Sequence, residues 1–289
     1  MEYFEPKSIG DALSVLSRHG AEAKVIAGGT DVMVDIKFKD EPGALVNIKK
    51  IPGLSGIKES SGAVRIGALT TIRELETSAL IREKLPVLWE ACHQFASLQV
   101  RNTATIGGNI CRASPSGETL APLLVLDAKA ILAFSDSERS EPFSSFFQGP
   151  GKSTVGVNGL LTEIEIPIPS GASRGVYLKH AVRGAMDIAM VGVAVLLTPD
   201  SGKNSVEDVR LGLGAVAPTP IRAPKAEALL RGKALSAALL KEAAAMAASE
   251  SSPITDQRSS AENRRWIVEA LTRRGLAQTW KAATGKEIA

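Results

Sequence analysis

A chain of 289 residues, 44% apolar and 22% charged, is long enough to bury one large or two ordinary cores and has the balance of a globular protein. Its net charge of +3, with no basic tract interleaved with aromatics, argues against a nucleic-acid partner, and no run of about 18 apolar residues offers a membrane span. Cys92 and Cys111 suit a reducing cytoplasm and are too few for the thiolates of an iron–sulfur cluster, while His19, His93 and His180 share no zinc-ligand spacing.

The N-terminus has neither the basic start nor the apolar core of a signal peptide. Ser8 to Asp11 reads as a capping box, Ile9, Ala12, Leu13 and Leu16 recur at helical spacing, and Gly20 stops the helix. Residues 24–27 form a short strand that runs into the pair Gly28-Gly29; residues 32–37 fit helix or strand. Residues 45–48 are a second strand, closed by Pro52-Gly53. Residues 56–67 read as a hairpin, Thr71 to Glu74 as a second capping box, and 81–96 as one or two helices broken at Pro86. A second glycine pair, Gly107-Gly108, then falls in a polar stretch from Arg101 to Glu118. Residues 120–126 are helical, 129–134 a strand, 143–151 a loop and 160–166 an alternating strand.

Pro167, Pro169 and Gly171 mark a domain boundary. Beyond it, residues 176–181, 187–197 and 206–213 are strand candidates. An Ala-rich helix over 236–249 follows, then a capped helix from Ser259 that stops at Gly275. Strands followed by helices predict an α+β domain with helices on one face of an antiparallel sheet.

Three motifs fail on context. Gly212 to Ala217 fits a loose dinucleotide fingerprint but runs into Pro218 where a helix should open. Gly151-Lys152-Ser153 lacks the leading glycine of a phosphate loop, since Phe146 stands there. Glu163 and Glu165 share one face of a strand and are expected to face solvent, without partners that would tune them as acid and base. The two glycine pairs are stronger. Glycine admits φ > 0 and close backbone approach, and successive N–H groups in such turns make an anion-binding nest. With Thr30, Asp31, Thr105, Asn109 and Ser114 as polar neighbours, the pairs could grip one extended phosphate-bearing ligand from two sides.

Ala27-Gly28-Gly29-Thr30-Asp31 and Thr105-Ile106-Gly107-Gly108-Asn109 resemble the two FAD-binding signatures of the medium (flavoprotein) subunit of molybdenum hydroxylases. That family includes the medium subunit of aerobic carbon monoxide dehydrogenase and the FAD domain of xanthine dehydrogenase. The resemblance runs nearly end to end, through residues 160–167, Tyr177 to Lys179, 183–189, 214–220 and Arg258 to Ala261. It implies an α+β chain. Residues 1–169 would be a two-lobed FAD-binding domain of the vanillyl-alcohol-oxidase (PCMH) type, with lobes of about 1–54 and 55–169. Residues 170–289 would be a C-terminal α+β domain with a small antiparallel sheet and helices.

The resemblance also implies a noncovalent FAD site. Val25, Ile26, Ala27, Gly28, Gly29, Thr30, Asp31 and Val32 would wrap the phosphates, and Thr105, Ile106, Gly107, Gly108 and Asn109 would meet them from the second lobe. Phe95 would give an apolar contact, Leu161 a backbone contact to the adenine side, and Ser114 and Glu118 would lie near the cofactor. Glu118 stands where the family carries Asp, one methylene shorter. Lys179 would point to the flavin, where a cation favours the anionic reduced ring, and Asp187 would fix the strand that carries it. Cys92 and Cys111 are expected as inert thiols rather than flavin anchors.

The implied function is that of a cytoplasmic electron-transfer flavoprotein subunit with no catalytic acid or base and no metal of its own. Partner chains would be an iron–sulfur small subunit with [2Fe–2S] clusters and a large subunit with the molybdenum cofactor, in a dimer of heterotrimers. The acceptor would be NAD+, a quinone or oxygen. A self-contained FAD-dependent oxidase or reductase of the same fold, with Lys179 as its one acid–base candidate, is the alternative; a non-catalytic assembly subunit is a third.

Overall fold

The structure is a computed structural model and describes residues 1–39 and 41–288. The chain divides into two compact units. Unit 1 comprises residues 1–75, 97–113 and 128–167; unit 2 comprises residues 76–96, 114–127 and 168–289.

Among the described residues, unit 1 carries a three-stranded and a five-stranded sheet and a two-stranded ribbon. The first is parallel, with Ala44–Asn47 between Glu2–Phe4 and Ala23–Ile26. Ala44, Leu45 and Val46 are all buried, as a central parallel strand requires. The edge strand Glu2–Phe4 was not expected from sequence, being too short to show a period. Helix Ile9–His19 is capped as expected, with Ser8 Oγ accepting from the Asp11 N–H at 3.1 Å and Gly20 turning out at φ +52°. It lays Ala12, Leu13 and Leu16 into a core with Val46, Ile48 and Leu54. That core continues into Ala133 and Leu160 of the second sheet and into Leu69, in the turn that follows its strand Ala63–Gly67.

The second sheet is antiparallel, ordered Ile57–Ser60, Ala63–Gly67, Leu160–Pro167, Lys129–Ala133 and Glu138–Pro142. On the neighbouring strand, Arg65 donates from Nη1 to Glu163 Oε1 at 2.7 Å and from Nη2 to Glu165 Oε2, a partner that the sequence alone did not supply. The stretch expected as loop, 143–151, is instead a single helical turn, Phe143–Phe146, and a strand, Phe147–Gly149, paired with Lys152–Ser153. Phe143 and Phe146 are buried edge to face with centroids 5.3 Å apart, so aromatic packing orders the segment.

Unit 2 is built on a four-stranded antiparallel sheet ordered Arg174–His180, Val191–Pro199, Val206–Gly214 and Ile221–Arg222. Val193, Val195, Leu211 and Leu213 on one face share a core with helices Ala237–Glu250 and Ala261–Thr284. The other face, which the sequence reading left open, is covered by helices Pro86–His93 and Leu120–Val125. A Cβ on Gly175 would lie 3.1 Å from Val87 Cβ, and one on Gly212 would lie 2.6 Å from the Ala121 carbonyl oxygen.

Two expectations in this unit are corrected. The last helix does not stop at Gly275 but runs to Gly285. Gly275 sits mid-helix because a Cβ there would lie 2.8 Å from Val195 Cγ2. The second strand starts at Val191 rather than at 187, since the Asp187 carboxylate accepts from the N–H groups of Arg183 and Ile188 and holds residues 183–188 in a turn.

Candidate functional site

The first glycine segment leaves the strand Ala23–Ile26 and enters the helix Val32–Phe38. Gly29 takes φ +76°, where L residues are strained, and its carbonyl accepts from the Met33 N–H at 3.0 Å. Gly28 needs no positive φ; it is glycine because of what it touches. A Cβ there would lie 2.9 Å from the Thr103 carbonyl carbon and closer still to its oxygen. The first segment therefore rests on the backbone that leads into the second.

Among the described residues, no hydrogen bond uses the backbone N–H groups of Gly28, Gly29, Thr30, Asp31 or Val32. These are five consecutive backbone donors without a backbone partner, on a glycine turn that is half-buried except at Asp31. Val25 and Ile26 belong to the preceding strand, Ile26 buried, and Asp31 is exposed.

The second segment is built differently. It was expected as a turn, but Gly107 and Gly108 lie in the first turn of helix Ile106–Arg112, capped by Thr105 Oγ1, which accepts from the Gly108 N–H at 3.1 Å. Its N–H groups are already used: Ile106 donates to Thr70 O, Gly107 to Ala68 O and Asn109 to Thr105 O. Gly107 is required by contact, since a Cβ would lie 2.6 Å from the Ala68 carbonyl oxygen. In this segment Gly108 is exposed and Asn109 half-buried, while Thr105 and Ile106 are buried. The first pair supplies donors and the second supplies close packing.

Arg112, at the end of that helix, joins the two segments. Its Nη1 pairs with Asp35 Oδ2, its Nη2 donates to Asp35 Oδ1 at 3.3 Å, and its Nε lies 3.6 Å from Asp31 Oδ1. The guanidinium, with help from Lys39, holds the Asp35 carboxyl down at about 2.

The remaining expected residues divide between the units. Leu161, in unit 1, is buried in the strand Leu160–Pro167. Phe95, Ser114, Glu118 and Lys179 belong to unit 2. Phe95 is buried beyond the helix Pro86–His93, and Ser114 Oγ accepts from the Ser116 N–H at 3.4 Å.

Lys179 and Glu118 meet. Lys179 Nζ donates to Glu118 Oε1 at 2.8 Å, to the Asp187 carbonyl at 2.7 Å and to the Gln94 carbonyl at 3.4 Å, and the two side chains are 9% and 10% exposed. Lys179, expected to point to the flavin, is half of a buried ion pair. Beside it, burial and the Glu118 charge push the Tyr177 phenol well above its ordinary value. The Tyr177 N–H donates to Glu90 Oε2 at 2.6 Å, and burial raises the Glu90 carboxyl against that bond.

Sequence reading missed Ala68, Thr103, Arg112 and Asp35. The first two act through backbone and leave no sequence signal. The acidic residue in the first turn of a helix after a glycine pair was the available clue to Asp35. Among the described residues, no helix is long and apolar enough to cross a membrane, and no group of three or more His, Cys, Asp or Glu could hold a metal ion.

Residues 1–169 match the FAD-binding domain family of molybdopterin dehydrogenases, and residues 176–279 match the C-terminal domain family of carbon monoxide dehydrogenase flavoproteins. The chain is similar to a xanthine dehydrogenase FAD-binding subunit of Escherichia coli O157:H7, 32% identical over 98% of this chain and 97% of the relative. It is likewise similar to the carbon monoxide dehydrogenase medium chain of Hydrogenophaga pseudoflava, 32% identical over 96% of each. A chain in a solved structure of the Hydrogenophaga pseudoflava carbon monoxide dehydrogenase superposes with a TM-score of 0.94 at 33% identity, covering 98% of both chains. A chain of quinoline 2-oxidoreductase from Pseudomonas putida 86 superposes with a TM-score of 0.92 at 27% identity, again covering 98% of both.

Proposed function

We propose that this chain, which belongs to the FAD-binding subunit family of the molybdenum hydroxylases, holds FAD noncovalently and carries electrons within a multi-subunit dehydrogenase. The observation that carries this reading is the row of unengaged N–H groups from Gly28 to Val32, set on a glycine turn that a Cβ at position 28 would block. Such a row fits a diphosphate. FAD, when bound, supplies the redox chemistry.

The chain's own residues position it. In unit 1, Gly28 to Val32 would donate to phosphate oxygens, with Gly108, Asn109 and Leu161 as further contacts; in unit 2, Phe95, Ser114, Glu118 and Lys179 are the residues proposed to meet the cofactor. The Glu118 carboxylate offsets the Lys179 charge, so this pair orders the site more than it charges it. Electrons would arrive from [2Fe–2S] clusters on a small partner chain, after substrate oxidation at the molybdenum cofactor of a large one, and leave to NAD+, a quinone or oxygen. A dimer of heterotrimers in the cytoplasm is the assembly we propose, with residues 1–169 and 170–289 as the two domains of this chain.

The relatives' names point the same way: they include medium chains and FAD-binding subunits of carbon monoxide and xanthine dehydrogenases. The rival, a self-contained flavoenzyme, needs an acid or base at the ring, and the ammonium of Lys179 is already directed at Glu118 and two carbonyls.

The test is a visible spectrum of the purified chain before and after acid precipitation, then turnover assays with and without co-expressed partner chains. Flavin bands released by acid, with no turnover by the chain alone, are expected. Unaided turnover would favour the self-contained enzyme, and a colourless chain that FAD cannot reconstitute would overturn the assignment.

A further inference from the structure

The helix that follows the first glycine pair is poorly anchored by packing. None of the residues of Val32–Phe38 is buried, and Met33, Val34 and Phe38 are 52%, 52% and 72% exposed. Behind it lies a cleft of about 450 Å³ lined by Ala23, Lys24, Val32, Asp35, Ile36 and Pro42. A helix of two turns with no core of its own has little intrinsic stability. Its fixed tie is ionic: the Arg112 guanidinium forks onto both oxygens of Asp35 and lies 3.6 Å from Asp31. Lys39 also pairs with Asp35 at 2.7 Å, but from within the same helix turn, so it ties nothing to the rest of the unit.

We propose that Arg112 is a positioning residue that latches the helix Val32–Phe38, and with it the Gly28 to Val32 donors, into register for FAD. This rests on the FAD reading above. The geometry gives the latch a specific reason. The five donors are useful to a diphosphate only if they converge, and Gly29, a glycine in the left-handed region, brings no side chain that would hold the turn in place. Arg112 stands at the C-terminal end of the other glycine helix, so one guanidinium fixes the first segment relative to the second. A bidentate guanidinium–carboxylate fork fixes orientation as well as distance, which a lysine cannot do.

The experiment uses the full chain stripped of flavin, with FAD titrated by flavin fluorescence into the parent protein, R112Q, R112K, D35N and the double variant R112Q/D35N. Amide hydrogen exchange is followed in the same ligand-free proteins. The latch predicts that R112Q and D35N each weaken FAD binding about tenfold, that the double variant is no weaker than either, and that R112K is intermediate. It further predicts faster exchange confined to residues 28–38.

A parent chain that binds FAD while R112Q and D35N stay within about twofold of it overturns the latch and leaves the FAD reading intact. Tighter binding by D35N also overturns it, because relief of carboxylate–phosphate repulsion would then outweigh positioning. Unchanged exchange at 28–38 overturns it independently of any ligand. A parent chain that binds no FAD overturns the function reading and, with it, the latch's ligand role. Should R112Q fail to fold, D35N and R112K carry the same comparison.

Discussion

Single residues decide the site through contacts too close for a side chain. Gly28→Ala places a methyl into the Thr103 carbonyl and should abolish flavin retention, with a loss of roughly 1–3 kcal/mol in a urea titration. Gly29→Ala keeps that contact but meets Ile26 Cδ1 at 3.2 Å and pays the left-handed penalty, so it should cost about 1–2 kcal/mol and weaken FAD binding without abolishing it.

The buried pair of unit 2 gives a sharper contrast. Lys179→Met or Glu118→Leu alone removes one half of this buried ion pair and should lower stability by roughly 3–5 kcal/mol, whereas the double variant should recover most of the loss. Asp35 sets a pH signature. Its carboxyl is held near 2 in the folded chain, below its unfolded value. Its stabilising contribution is therefore present above about pH 4 and is lost as pH falls toward about 2. Acid titration of R112Q should show a smaller loss over that window than the parent chain shows.

At the scale of elements, capping and periodicity were legible and packing was not. Ser8 and Thr71 cap the helices that the sequence places after them, because a cap needs only a short side chain at a fixed offset, whereas the last helix is capped by Ser260, one residue later than the expected Ser259. Thr71 and Glu74 exchange both bonds of the expected box. Gly275 is the instructive error. Local chemistry says that a glycine ends a helix, but here the long helix passes through it because the sheet approaches to within a methyl's width at Val195.

Gly275→Ala improves intrinsic helix propensity by about 1 kcal/mol. The overlap with Val195 Cγ2 should nevertheless make it net destabilising by roughly 1–2 kcal/mol in a urea titration. Val195→Ala in the same background should recover part of that loss. The second glycine pair teaches the same lesson: Gly107 and Gly108 were read as a turn and form a helix, since Ala68 crowds one and Thr105 caps the other.

At the scale of the whole molecule, unit 2 draws on three separate stretches of chain. Its sheet face around Gly175, Tyr177 and Gly212 is covered by helices Pro86–His93 and Leu120–Val125, which lie far upstream in sequence. Residues 170–289 expressed alone should therefore expose that face and bind a hydrophobic dye such as ANS. Co-expression with residues 1–169 should suppress the dye signal. For the intact chain, FAD at about one hundred times its dissociation constant should raise stability by about 2.7 kcal/mol, and Gly28→Ala should show no such gain.

What the sequence determined by itself is the set of local events. It fixed where helices are capped, where strands alternate and where the glycine pairs fall, and the motifs around Gly28 and Gly107 carried the family resemblance that the matches to the two domain families support. These depend on neighbours within a few positions, which a linear reading can see. The tertiary structure alone decided which glycine pair offers donors and which serves close packing. It also gave Lys179 the Glu118 carboxylate as partner and Arg112 the Asp35 carboxylate. Those outcomes depend on which backbone crosses which at van der Waals distance, and on charges separated by 61 and 77 positions in the chain. No local pattern encodes a contact between residues so far apart.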